Sequence, residues 1–292
     1  MAHLSWSIEM SEIDNGMGRS DNIARVMARG NGWTRSGRGG TIESDPTTQL
    51  IMRSKSLLTL LLLLLLLTCG GMAFAEEADQ YFPLEKGHYW IYKGETKWVQ
   101  KNPATDENEV KSKILTWRTE VVDSTSRGNV YAALLKGFPS DLAWYQPAEK
   151  REDHLIVRVG SCAYHLFDGD SALKAWATIK DESKSLDDLV NGDSLLIDAP
   201  LAEGKVYGNF TYTTRGMYCW IVEHGEPNFD ASRINGIRPK PNMESFDVAF
   251  RTNPSHIIFK FVPGVGIIHY VYVHHGTVSE TDLSLIETGH LR

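Results

Sequence analysis

Polar and apolar residues alternate most regularly near the C-terminus of the chain. Phe246, Val248 and Phe250 share one parity against Asp247, Ala249 and Arg251. Ile257, Phe259 and Phe261 likewise oppose His256, Ile258 and Lys260. A period of two places each set on one face of a half-buried strand. Pro263-Gly264 suits the two central positions of a type II turn, after which residues 267–273 run back. His275-Gly276 turns the chain again, and residues 277–287 close a meander.

The alternation continues upstream with less regularity. After Tyr81-Phe82-Pro83-Leu84, Gly87 allows a left-handed turn and aromatic residues alternate into a strand through Trp98. A polar loop over 101–109 leads to a strand over 114–122, with Leu115, Trp117 and Val121 on one parity. Further strands are predicted over 130–135, 154–159, 162–167 and 217–223. Residues 185–190 read as a short helix capped by Ser185, and no long amphipathic helix is predicted. Short strands joined by tight turns predict an all-β class: an antiparallel meander forming a curved sheet, sandwich or barrel, with minor short helix.

One apolar run departs from this pattern. Residues 57–67 are leucine apart from Thr59, Arg53 and Lys55 precede them, and Ala73-Phe74-Ala75 follows. A positive stretch, an apolar stretch and a small-x-small site make a secretory signal over 52–75, with cleavage between Ala75 and Glu76. Two other fates fit the same residues. Leu66-Leu67-Thr68-Cys69 is similar to a lipobox, with Thr68 where Gly, Ala or Ser is usual, so Cys69 is a candidate lipidation site. Residues 57–75 are also free of charge for long enough to stay as an anchor. Residues 1–51, rich in Gly, Ser, Arg and Asn, read as a disordered arm or as lying upstream of a true start at Met52. Residues 76–292 form a single exported β domain, placed in the periplasm, the outer envelope or the medium.

Charge and cysteine content narrow the classes. Residues 76–292 hold 31 acidic and 23 basic residues, a net charge of −8, which disfavours nonspecific nucleic-acid binding. Membrane contact is expected only through the signal or a lipid anchor. Cys162 and Cys219 are the cysteines beyond the leader, and an oxidising compartment predicts a disulfide between them.

Three blocks carry a resemblance. Tyr81-Phe-Pro-Leu-Glu-Lys-Gly-His-Tyr-Trp-Ile-Tyr92, Pro200-Leu-Ala-Glu-Gly-Lys-Val-Tyr207 and Phe261-Val-Pro-Gly-Val-Gly-Ile-Ile-His-Tyr-Val-Tyr272 occur in that order. The chain resembles a group of bacterial exported proteins and lipoproteins with YFPLxxGxxWxY, PLxxGxxW and YxPGVGxV blocks. Tyr207 stands where that group has Trp, and Phe261 where it has Tyr. Both keep an aromatic ring, which suits packing. The resemblance implies location and general architecture and assigns no chemistry. The first two blocks also share Pro-Leu-x-x-Gly-x-x-aromatic, read as one turn solution that launches a strand.

Candidate chemistry is sparse. Gly264-Val265-Gly266 is too short for a dinucleotide fingerprint, and no helix follows it. Asp168-Gly169-Asp170 opens like a calcium loop, but Ile179 occupies the twelfth position, where Glu is needed. No cofactor or metal ligand set is assigned. His269 and His275 share strand parity, whereas His274 faces away, so the three do not converge on one ion without a break in the strand. Trp90, Tyr92, Trp98, Trp117, Tyr131, Trp144, Tyr145, Trp176 and Trp220 read as core, with a ligand groove as the alternative. The expected function is a non-enzymatic domain binding a hydrophobic ligand, glycan or envelope protein, with no identified catalytic residue. An exported hydrolase or metal-dependent enzyme and a purely structural envelope component are the alternatives.

Overall fold

A computed structural model describes residues 81–147, 150–209 and 216–291. The leader sites Cys69, Ala75 and Glu76, and the divisions at 51 and 75, lie outside the described residues. Twelve strands form one sheet: β1 (His88–Lys101), β2 (Asn108–Arg127), β3 (Val130–Lys136), β4 (Asp153–Val159), β5 (Ala163–Asp168) and β6 (Leu195–Asp198), then β7 (Val206–Tyr207), β8 (Trp220–Pro227), β9 (Glu244–Arg251), β10 (Ser255–Val262), β11 (Gly266–His274) and β12 (Ser279–His290). The order across the sheet is β6-β5-β4-β3-β2-β1-β12-β11-β10-β9-β8-β7. The chain thus traces two six-strand antiparallel meanders, joined where β1 pairs with β12. The sheet curls into a nearly closed barrel whose outer strands meet through side chains. Tyr207 on β7 donates its hydroxyl to the Leu196 carbonyl on β6 at 3.0 Å, and Lys205 pairs with Asp198 at 3.0 Å. The all-β expectation holds.

The two Pro-Leu-x-x-Gly blocks are equivalent in this topology. Each begins the first strand of a meander. Gly87 (φ +89°) and Gly204 (φ +82°) take left-handed backbone that glycine adopts without strain. The following N–H, of His88 or Lys205, closes the turn on Glu85 or Ala202 at 3.0 Å. Each glycine N–H also donates to the strand after next in sequence, at Val121 or Val222, at 2.8 Å. One turn solution therefore starts both halves.

Side chains of alternate residues fill the interior. Trp90, Tyr164, Phe259, Phe261, Leu135, Ile156, Ile267 and Leu283 are among the fully buried ones. Each contributes roughly 1.5–3 kcal/mol by leaving water. A second, smaller cluster lies outside the barrel wall, where helix α1 (Gly169–Lys180) packs Ala172, Ala175 and Ile179 on Val130, Ala132, Leu155 and Val157. Arg127, ending β2, donates to the carbonyls of Thr178, Asp181 and Glu182 at 2.9–3.3 Å, so one guanidinium holds the helix C-terminus.

Two expectations are corrected here. The short helix belongs to 169–180 and not to 185–190. Ser185 instead accepts the Asp187 N–H at 3.1 Å, a local turn that competes with helix. The disulfide does not form: Cys162 and Cys219 are free thiols. Cys162 precedes β5 and Cys219 precedes β8. Even across the seam, β6 and β7 intervene, and three strand spacings of about 4.8 Å exceed the reach of about 7 Å between bridged Cα atoms.

Candidate functional site

The three sequence blocks converge on one packing junction. The Trp90 indole N–H donates to the Val265 carbonyl at 2.7 Å, and the Tyr92 hydroxyl donates to that of Ile267 at 2.9 Å. The Gly264 N–H reaches the Tyr81 carbonyl at 2.9 Å, and the Tyr81 hydroxyl accepts the Leu201 N–H at 2.9 Å. Phe82 packs its ring on Trp90, Tyr164 and Phe261 at 5.4–6.1 Å between centroids. Gly266 (φ +102°) lies so close that a Cβ there would stand 3.2 Å from the indole nitrogen. Burial raises the pKa of the Tyr81 and Tyr92 phenols well above the usual value, so both stay neutral. The blocks hold the barrel wall together through these contacts.

The strongest titratable cluster lies elsewhere in the interior. His154 on β4 meets Asp141, from the turn after β3, with Nε2 and Oδ1 2.6 Å apart; both side chains are 2 % exposed. Asp141 also accepts the Glu152 N–H at 3.0 Å. Nδ1 of His154 has no hydrogen-bond partner among the described residues. Asp168, opposite His154 in the β4–β5 ladder, has its pKa raised mainly by burial, with the nearby imidazole opposing that shift. Acid and base thus sit together, but at so little exposure a substrate cannot reach the pair. Two further imidazoles, half-buried His88 and buried His165, are pushed down to about 4 by desolvation and stay neutral at pH 7.

The histidines singled out in the sequence separate. His269 is exposed and pairs with Asp282 at 2.8 Å. His274 turns to Trp144, 4.4 Å between ring centres, and its Nδ1 bonds the Ser255 hydroxyl at 2.9 Å. His275 lies past the end of β11, with its Nε2 3.4 Å from Nδ1 of His256. Among the described residues no group of three or more His, Cys, Asp or Glu side chains is arranged to hold a metal. The aromatic residues follow the core reading: Trp90, Tyr92, Tyr145 and Trp220 are buried, and Trp98, Trp117, Tyr131 and Trp144 lean on the same cluster. Trp176 lies against the helix-side cluster with Lys180 over its ring at 4.5 Å.

What the sequence did not indicate is a surface feature. β2 pairs with β3 only from Glu120 to Arg127, so residues 108–119 pair with β1 alone and overhang the barrel. The segment after β3 covers the inner side of this overhang. Trp117 donates to the Gly137 carbonyl at 2.9 Å, Lys113 to the Tyr145 hydroxyl at 3.0 Å, and Trp98 meets Tyr145 edge-on at 5.0 Å. Its outer side is bare, with Ile114 72 % and Val110 59 % exposed. Two surface depressions, about 420 Å³ beside Lys86, Glu120 and Leu291 and about 300 Å³ beside Asn129, Tyr131 and Arg158, are shallow and of mixed polarity. Polar Asn108, Lys111, Ser112 and Lys113 conceal the start of β2 from a pattern search, since no buried parity marks them.

Comparison with known proteins adds little. No protein-family model matches the chain, and a search of curated proteins finds no relative. Among solved structures, "a putative exported protein with YmcC-like fold" from Bacteroides fragilis aligns at 11 % identity and a TM-score of 0.34, covering 72 % of this chain and 98 % of that one.

Proposed function

We propose that the chain is an exported, non-enzymatic β domain that acts by binding a protein of the cell envelope through its outer surface. The observation that carries this reading is the filled interior. Trp90, Tyr164, Phe259 and Phe261 occupy the space in which a barrel of this kind would enclose a hydrophobic ligand. The Asp141–His154 pair is buried out of reach of a substrate, which weighs against an enzyme. The export half of the reading rests on the leader over 52–75, and processing at Ala75 is preferred to lipid attachment at Cys69.

Native mass spectrometry of the protein purified from its own envelope fraction tests both halves. The expected mass is that of an unliganded chain beginning at Glu76. A stoichiometric lipid or glycan retained in the complex would contradict the surface-binding reading. A chain still carrying residues 1–75 would contradict export with cleavage.

A further inference from the structure

We propose that the overhanging edge of β2 is a strand-addition site for an extended segment of another protein, with acidic residues on one face and apolar residues on the other. This rests on the surface-binding reading above and names where and how the partner docks.

The hydrogen-bond phase of β2 identifies the open groups. The Asn102 N–H bonds the Glu107 carbonyl at 2.8 Å, in register with the whole β1–β2 ladder. Antiparallel ladders alternate, so odd-numbered β2 residues bond β1 while even-numbered ones turn both backbone groups the other way. Val110, Ser112, Ile114 and Thr116 therefore present N–H and C=O to the open side. Among the described residues no backbone hydrogen bond outside the β1 ladder reaches them. Closure of this edge begins only at Arg118, whose carbonyl takes a bond from Arg151 at 3.2 Å. An unpaired edge of this length is a template for another strand.

The side chains select the occupant. The outer face offers Val110 and Ile114, which favour β-branched apolar partners across the strand. The inner face offers Lys111 and Lys113. Lys111 is neutralised by Glu109, but among the described residues Lys113 contacts Tyr145 and no carboxylate, meeting its hydroxyl and, at 5.6 Å, its ring. A carboxylate opposite Lys113 supplies the missing charge. A second copy of this chain fits worse in the registers that overlap most of the open stretch, because antiparallel self-pairings centred on 111, 112 or 113 set lysine against lysine.

The probe is a fluorescein-labelled heptapeptide, Thr-Val-Glu-Thr-Glu-Val-Thr, read by anisotropy against the purified protein, beside the same peptide with Lys for Glu. Saturable binding with a midpoint below about 1 mM is expected for the acidic peptide alone. Ser112→Pro removes an open-edge N–H and leaves the β1 ladder intact, so it weakens binding by about tenfold or more. Ile114→Lys, at an exposed position, acts in the same direction without touching the backbone. Absence of saturable binding, equal binding of the basic peptide, or binding unchanged in both variants overturns the proposal. So does self-association of the protein that Ser112→Pro abolishes, which assigns the edge to a second copy. A retained small ligand in native mass spectrometry overturns the surface-binding reading itself, so the two failures are told apart.

Discussion

Replacing Trp90 and Trp98 by Phe makes the same chemical change at two sites and is expected to cost unequal stability. Trp90 is 1 % exposed and its indole N–H donates to the Val265 carbonyl at 2.7 Å. Trp90→Phe strands that buried carbonyl, at about 1–3 kcal/mol, and leaves a small void costing roughly another 1 kcal/mol. The sum, about 2–4 kcal/mol, lowers the melting temperature by roughly 5–15 °C in a domain of this size. Trp98 is buried at its nitrogen, but that N–H has no partner among the described residues. Trp98→Phe removes an unsatisfied donor and keeps a ring against Tyr145, so the loss is under about 1 kcal/mol. Urea unfolding followed by far-ultraviolet circular dichroism measures both. If Trp90→Phe costs no more than Trp98→Phe, the junction of the three sequence blocks does not hold the wall as argued.

Three further expectations follow from other parts of the molecule. Burial holds the His165 pKa at about 4, below its unfolded value near 6.5, so the unfolded state binds the extra proton between those pH values. Stability is then intact above pH 6.5 and falls by about 3 kcal/mol as pH drops to about 4; urea midpoints across that range should be flatter in His165→Asn than in the parent, and parallel profiles would count against it. Arg127→Ala removes the clamp on the end of α1, at about 1–2 kcal/mol, and hydrogen exchange should speed up over residues 177–184 while the β9–β12 amides are unaffected. Cys162 and Cys219 should both react with iodoacetamide in the unfolded, unreduced protein; modification of neither would restore the disulfide.

The C-terminal meander was legible because it satisfies period two, turn chemistry and aromatic content together. The predicted strands over 246–251, 256–261 and 267–273 fall inside β9, β10 and β11. Pro263-Gly264 makes the expected turn, with Gly264 at φ +78° and the Val265 N–H on the Val262 carbonyl at 3.0 Å. Helix α1 was not legible: its buried stripe is Ala172, Ala175 and Ile179, too small to register as amphipathic, and it opens on glycine. The small side chains let the helix lie close on the barrel wall, which only the fold reveals. The convergence of Tyr81, Trp90, Leu201 and Val265 was likewise hidden, because it depends on β1 pairing with β12 across the length of the chain. The overhang of β2 was hidden for the opposite reason, being a strand with little to bury.

Photo-crosslinking in the native envelope tests the account most directly. A benzophenone amino acid placed singly at Ile114, Leu173 or Ile286, all exposed on the outside, compares the β2 overhang with α1 and β12. The account predicts a discrete protein adduct from position 114 that disappears in the Ser112→Pro background, and none from 173 or 286. Absence of a protein adduct at 114, or adducts of equal yield at all three positions, would contradict it.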